Sequence, residues 1–170
     1  MAAAKERPFY RAALWVFAQL PIDMRRMLYR RLTPRWMISA RCLVRLEDGR
    51  VLLIRHRHWN DWGLPGGVVN KGELTQRAAA REVAEETGVR VRLRSNEPFP
   101  MVQSHGRAIE LVYDAELAEG VKPEDAYTAS VEVSEVEWFP LNALPPLAAV
   151  AALTLERMCE GESLEWTRRT

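Results

Sequence analysis

Residues 64–89 read LPGGVVNKGELTQRAAAREVAEETGV. Leu74 to Thr87 contain no Gly or Pro and several Ala, which predicts a helix, and Gly88 stands where a left-handed cap would end it. At about 100° per residue, Glu82, Glu85 and Glu86 fall within roughly 100° of arc, next to an arc of Ala79, Ala80, Val83 and Thr87. One side of the helix packs and the next concentrates carboxylates. Like charges at these spacings destabilise a helix by about 0.2–0.5 kcal/mol per pair, so the cluster needs a physical reason. Two are available. The face is plain solvated surface, with Arg77 and Arg81 interleaved, or it holds a hard divalent cation, because Mg²⁺ takes carboxylate oxygens together with water and substrate phosphate oxygens.

The turn ahead of the helix favours the cation. Gly66, Gly67 and Gly72 let the backbone approach a ligand closely or take positive φ, and a helix start offers unpaired N–H groups to anions. A glycine-rich turn running into a carboxylate helix suits a metal held against a phosphate. The spacing is Gly67, five residues, Glu73, seven residues, then Arg81-Glu82-Val83-Ala84-Glu85-Glu86-Thr87-Gly88-Val89. It resembles the Nudix box, with every fixed position present.

The surrounding composition is that of a soluble globular chain: 170 residues, 48% hydrophobic and 28% charged, with a net charge of +1. The charge is uneven. Before residue 37 stand eight basic residues (Lys5, Arg7, Arg11, Arg25, Arg26, Arg30, Arg31 and Arg35) against Glu6 and Asp23. Cys42 and Cys159 lie far apart, form no metal or redox motif and read as reduced thiols. No apolar run approaches the ~20 residues that span a membrane, and no small-x-small cleavage site follows Ala12 to Leu20. A cytoplasmic location is expected.

Residues 8–20 and 22–32 carry apolar residues at helical spacing, interrupted by Pro21 and ended at Thr33-Pro34. Residues 1–36 therefore read as a basic helical extension and 37–170 as the main domain. The extension suits packing on its own domain or on a second copy in a homodimer; its charge also admits a membrane surface or a nucleic acid. Met37 to Leu46 and Val51 to Arg57 read as two strands of a hairpin around Asp48-Gly49. Arg55, His56, Arg57 and His58 follow, then Trp59 and Trp62; they are alternating surface residues or phosphate and base contacts, with Trp62 better suited to packing. Beyond the box, strands are expected at 89–93, 108–117 and 131–139, a loop at 96–106 and a C-terminal helix at about 147–160.

The resemblance implies an α/β fold, an α/β/α sandwich with a mixed β-sheet, over residues 37–158. It implies a hydrolase of acid anhydrides, a pyrophosphohydrolase acting by water attack on the diphosphate of a nucleoside diphosphate linked to another moiety: NDP-sugar, ADP-ribose or (d)NTP. It further implies Mg²⁺, or Mn²⁺, held by Glu82, Glu85 and Glu86 with the backbone carbonyl of Gly67, and a structural pair of Glu73 and Arg81. Arg55, His56, Trp59, Gly66 and Gly67 are the substrate-binding candidates. The family takes its general base from the box or from a distal carboxylate, for which Glu124, Asp125, Glu132 and Glu135 are candidates and Glu132 is preferred. The alternatives are a nucleotide-sensing module without catalysis, or a dinucleoside polyphosphate or RNA 5′-end hydrolase that uses the basic N-terminus. Ser104, His105, Gly106 and Arg107 stand where the family's ADP-ribose and dinucleoside markers would be, so neither marker is present.

Overall fold

The computed structural model describes residues 15–32, 36–103 and 108–159. The chain divides into two units, Met1–Arg35 and Trp36–Thr170. In the first, residues 15–19 are helical and helix α1 spans Ile22–Leu32. Pro21, which has no N–H to donate, stands between them. The two stretches meet through an edge-to-face contact of Phe17 and Tyr29, ring centroids 5.2 Å apart, and the Arg25 Nε donates to Leu20 O at 2.8 Å.

The second unit holds β1 (Met37–Val44), β2 (Arg50–His56), β3 (Gly66–Val68), α2 (Thr75–Thr87), β4 (Val91–Leu93), β5 (Phe99–Gln103), β6 (Ala108–Leu117), β7 (Val133–Pro140) and α3 (Ala149–Cys159). β1 and β6 run parallel from Met37 opposite Ala108 to Val44 opposite Ala115. β3 pairs antiparallel with the other edge of β1, and β4 and β5 pair antiparallel with β6. This makes one mixed five-stranded sheet, with β2 and β7 forming a second, antiparallel pair.

The layers follow from the period-two alternation of the strands. Cys42 and Val44 of β1, with Leu52, Tyr113 and Ala115, pack against Ala78, Ala79 and Val83 of α2. Leu43, Val51, Leu53 and Val112 point the other way, toward Ala151 and Leu155 of α3. The sheets therefore lie between helices, an α/β/α sandwich. At about 25 cal/mol per Å² of apolar surface removed from water, these two clusters supply the main driving force. Among the described residues no helix is long and apolar enough to cross a membrane.

Two expectations are corrected. The Asp48-Gly49 turn forms, with Gly49 at φ +85° and Leu46 N donating to Arg50 O, but it does not make a hairpin of two paired strands. Past the Arg45–Val51 bridge β1 and β2 part, because Val51 to Ile54 is buried on both faces and β2 serves both clusters. The stretch expected as a loop at 96–106 contains β5. Its proline, Pro100, is opposite Leu111, and because among the described residues β5 pairs only with β6, a residue lacking an N–H is tolerated there.

Candidate active site

Helix α2 ends as expected, with Gly88 at φ +72° and its N–H donating to Ala84 O. Its inner face is held against β1 by Ala78, Ala79 and Val83. That packing directs the neighbouring carboxylate face at β3 and the turn leading into it. Gly66 is obligatory here. Its φ is +146°, and a Cβ would lie 2.4 Å from Ala40 O and 2.5 Å from Arg41 Cα. The Gly66 N–H donates to Glu86 Oε2 at 2.7 Å, so the turn and the end of the helix are joined through a buried carboxylate. A Cβ on Gly67 would lie 2.6 Å from both Cδ and Oε2 of Glu82. The absent side chain is what allows the Glu82 carboxylate to rest on β3.

Arg81 organises the other side of the helix. Its Nε and Nη2 donate to the two oxygens of Glu73 at 2.9 and 3.0 Å, and its Nη1 donates to Glu82 at 2.7 Å and Glu85 at 2.9 Å. These bonds hold Arg81 protonated and keep the Glu73 carboxyl below the usual carboxylate range. Glu73 also accepts from Asn70 N at 3.1 Å, closing the loop on the helix.

A cleft of about 710 Å³ opens over this arrangement. Glu82, Glu86 and Arg81 line it from α2, Gly66, Gly67 and Val68 from β3, Arg41 from β1, His56 to Trp59 from the end of β2, and Val131 and Glu132 from the segment before β7. Asn70 completes the loop side. The Glu86 carboxyl is pushed up to about 7 by its burial first and then by Glu82 and Glu132, against the opposing Gly66 N–H and Arg41. His56 is lowered, by burial first and then by Arg41, while Glu132 works the other way. Its Nε2 is 3.8 Å from Glu86 Oε1, and its ring meets that of Trp59 edge-on at 5.2 Å.

The nominated residues separate on this map. Glu82, Glu86, Glu132, His56, Trp59, Gly66 and Gly67 meet in the cleft. Glu85 is bonded to Arg81 and is not among the lining residues. Arg55 is paired with Glu135 across the β2–β7 ladder and lies over the ring of Trp62, which is buried against Phe139. The β2–β7 register shifts between Arg55 and His56, and such an irregularity re-aims the side chains that follow it. Glu124 and Asp125 belong to a short 3-10 turn, where Asp125 accepts from Lys122 N. The start of α2, expected to offer its N–H groups to anions, is not among the lining residues.

Arg41 was not nominated from the sequence. Its Nε donates to the buried Glu110 at 2.9 Å, and its Nη1 donates to Leu64 O at 3.2 Å and Gly66 O at 3.3 Å. It thus clamps the turn from behind while presenting positive charge to the cleft. The available signal was a single arginine inside the apolar run Ile38 to Val44.

A family-wide sequence profile, the NUDIX domain, matches residues 35–158. The chain belongs to the Nudix family. It is a hydrolase acting on acid anhydrides, a pyrophosphohydrolase. A MutT-like protein of Streptomyces ambofaciens is 34% identical over 130 residues, covering 75% of this chain and 80% of that one. The NAD-capped RNA hydrolase NudC of Escherichia coli is 31% identical over 157 residues, covering 86% of this chain. The chain spans only 56% of that relative's length. Among solved structures, the MutT protein from Methanosarcina mazei Go1 superposes with a TM-score of 0.61 at 28% identity, covering 76% of this chain and 97% of that one. The turn, helix and cap described above are the Nudix box of this hydrolase, and hydrolases of this family generally use divalent metals. Among the described residues no three His, Cys, Asp or Glu side chains converge as a ready-made ion cage.

Proposed function

We propose that the chain is a divalent-metal-dependent pyrophosphohydrolase that cleaves the diphosphate of a nucleoside diphosphate linked to a second group, of the NDP-sugar, ADP-ribose or (d)NTP type. The observation that carries this reading is one cleft with two kinds of wall. Glu82, Glu86 and Glu132 offer carboxylate oxygens, and Arg41, His56, Arg57 and His58 offer cationic or hydrogen-bonding groups suited to phosphate.

The donor set fits a hard dication. Glu86 is buried beside Glu82 and Glu132, and a dication favours the ionised form that burial opposes. Mg²⁺ binds through one or two carboxylates with water and substrate phosphate oxygens, so Glu82 and Glu86 suffice without a third protein ligand. Glu85 lies beside them on the helix, the Gly67 carbonyl is a further donor, and Mn²⁺ is satisfied by the same oxygens. When bound, such an ion neutralises phosphate charge and lowers the pKa of a coordinated water.

The remaining roles belong to the chain's own residues. Arg41 and Arg57 attract and orient the phosphates, and His56 donates to them from between. Glu132 accepts the proton of the water that attacks phosphorus in line. Arg81 fixes Glu82 and, through Glu73, the loop that brings Gly67 close. Trp59, more than half exposed at the rim, offers its face to the base.

The test is a panel of NDP-sugars, ADP-ribose, dinucleoside polyphosphates, (d)NTPs and NAD-capped RNA, the last being the substrate in the E. coli relative's name. With Mg²⁺, at least one member releases a nucleoside monophosphate, and E86Q abolishes that release. No turnover of any member refutes the proposal. A rate indifferent to E132Q refutes the role given to Glu132 alone.

A further inference from the structure

Helix α1 of the first unit has a distinctive surface. No residue of α1 is buried. Met24, Met27 and Leu32 are 43%, 47% and 75% exposed, and Trp15 in the preceding helical stretch is 67% exposed. At about 100° per residue, Met24, Met27, Leu28 and Leu32 share an arc of roughly 140°, with Arg26 and Arg30 on the other side. Arg31 falls within the apolar arc and Arg25 at its edge; such side chains lay their aliphatic stems along apolar surface while the guanidinium stays in water.

The charge says what covers this face. Residues before 37 carry eight basic side chains and two acidic ones. A second copy would bring the same positive excess against itself. A nucleic acid would satisfy the arginines and leave Met24, Met27 and Leu32 in water. An anionic bilayer takes both sets at once, headgroups pairing with the arginines and the acyl boundary burying the apolar side chains.

We propose that α1 is a docking surface for an anionic lipid membrane and carries the hydrolase domain at the bilayer surface. The proposal does not depend on which substrate the cleft accepts.

The experiment is flotation of the full chain with vesicles of phosphatidylcholine alone or mixed with phosphatidylglycerol. The chain is expected to float with the anionic vesicles and not with the neutral ones, and to be largely released when NaCl is raised from about 0.1 M to about 0.5 M. R26E/R30E and M24S/M27S should each weaken binding by at least about tenfold, with the thermal unfolding of the hydrolase domain unchanged. If M24S/M27S lowers helix content, M24Q/M27Q replaces it, since Gln and Met have similar helix propensity. Three outcomes overturn the proposal. They are absence from the anionic vesicle fraction, loss of binding in R26E/R30E with none in the methionine variants (the mark of charge attraction without burial of the apolar face), and a solution dimer that the methionine variants dissociate.

Discussion

The ring of Tyr127 occupies the space that a side chain at position 88 would need. Gly88 has φ +72°, and a Cβ there would lie 2.2 Å from Tyr127 Cε1. The contact is reinforced by backbone bonds: Tyr127 N donates to Thr87 O at 3.0 Å and Ala129 N donates to Glu86 O at 3.1 Å. The segment that delivers Glu132 to the cleft is thus fastened to the last turn of α2, the turn that also carries Glu86. Arg57 holds its far end, donating from its backbone N to Glu132 O at 3.0 Å and from Nε to Val131 O at 2.6 Å.

G88A therefore combines a left-handed backbone penalty with a clash. The variant should lose about 1–3 kcal/mol in denaturant unfolding. G88A/Y127A should recover the clash portion and keep the backbone portion. A G88A protein as stable as the parent would show that the ring and the cap are not in contact in solution.

Gly67 predicts a different signature. Its backbone is not in the left-handed region, and what a Cβ meets is the Glu82 carboxylate. G67A should leave thermal stability within a few degrees of the parent while reducing kcat on the order of 100-fold, the scale of an ångström-sized misplacement at a reacting centre. Equal losses of stability and activity would instead assign Gly67 to folding.

The buried Glu86 makes the metal-free protein sensitive to pH. Its folded-state pKa, about 7, lies above its ordinary value of 4.5, with burial the leading cause. For a raised carboxyl the associated stability is fully present below pH 4.5 and is lost as pH rises through 7. In EDTA at pH 8, E86Q should be more stable than the parent by about 3 kcal/mol, and near pH 4 the two should unfold alike. Identical pH profiles from 4 to 8 would show that Glu86 is solvated in the metal-free state.

Cys42 is fully buried in β1, and its thiol is pushed up to about 12 by burial first and by Asp114 second. In a C159S background it should resist thiol reagents at pH 8 under native conditions and react stoichiometrically in denaturant. Labelling of the native protein at the rate of a surface thiol would contradict the placement of β1.

Much of the site was legible because it is local in sequence. Glu73, Arg81, Glu82 and Glu86 lie within one turn and one helix, where spacing fixes relative position, and the cap at Gly88 is a matter of backbone conformation. What spacing could not show is how distant elements meet. Arg41 faces the cleft because β1 pairs with β3 at Arg41 opposite Gly66, and Arg55 meets Glu135 because the β2–β7 ladder sets them opposite one another just before its register shifts at His56. Ser104 to Arg107, the positions where the family's substrate markers would stand, lie outside the described residues.

By itself, then, the sequence determined the reaction class and the helix that carries its carboxylates, because both reside in contiguous residues with a fixed period. The tertiary structure alone decided which side chains share the cleft with that helix. Strand pairing, a register shift and the Tyr127 contact join residues far apart in the chain, and their energies depend on packing that no local pattern encodes.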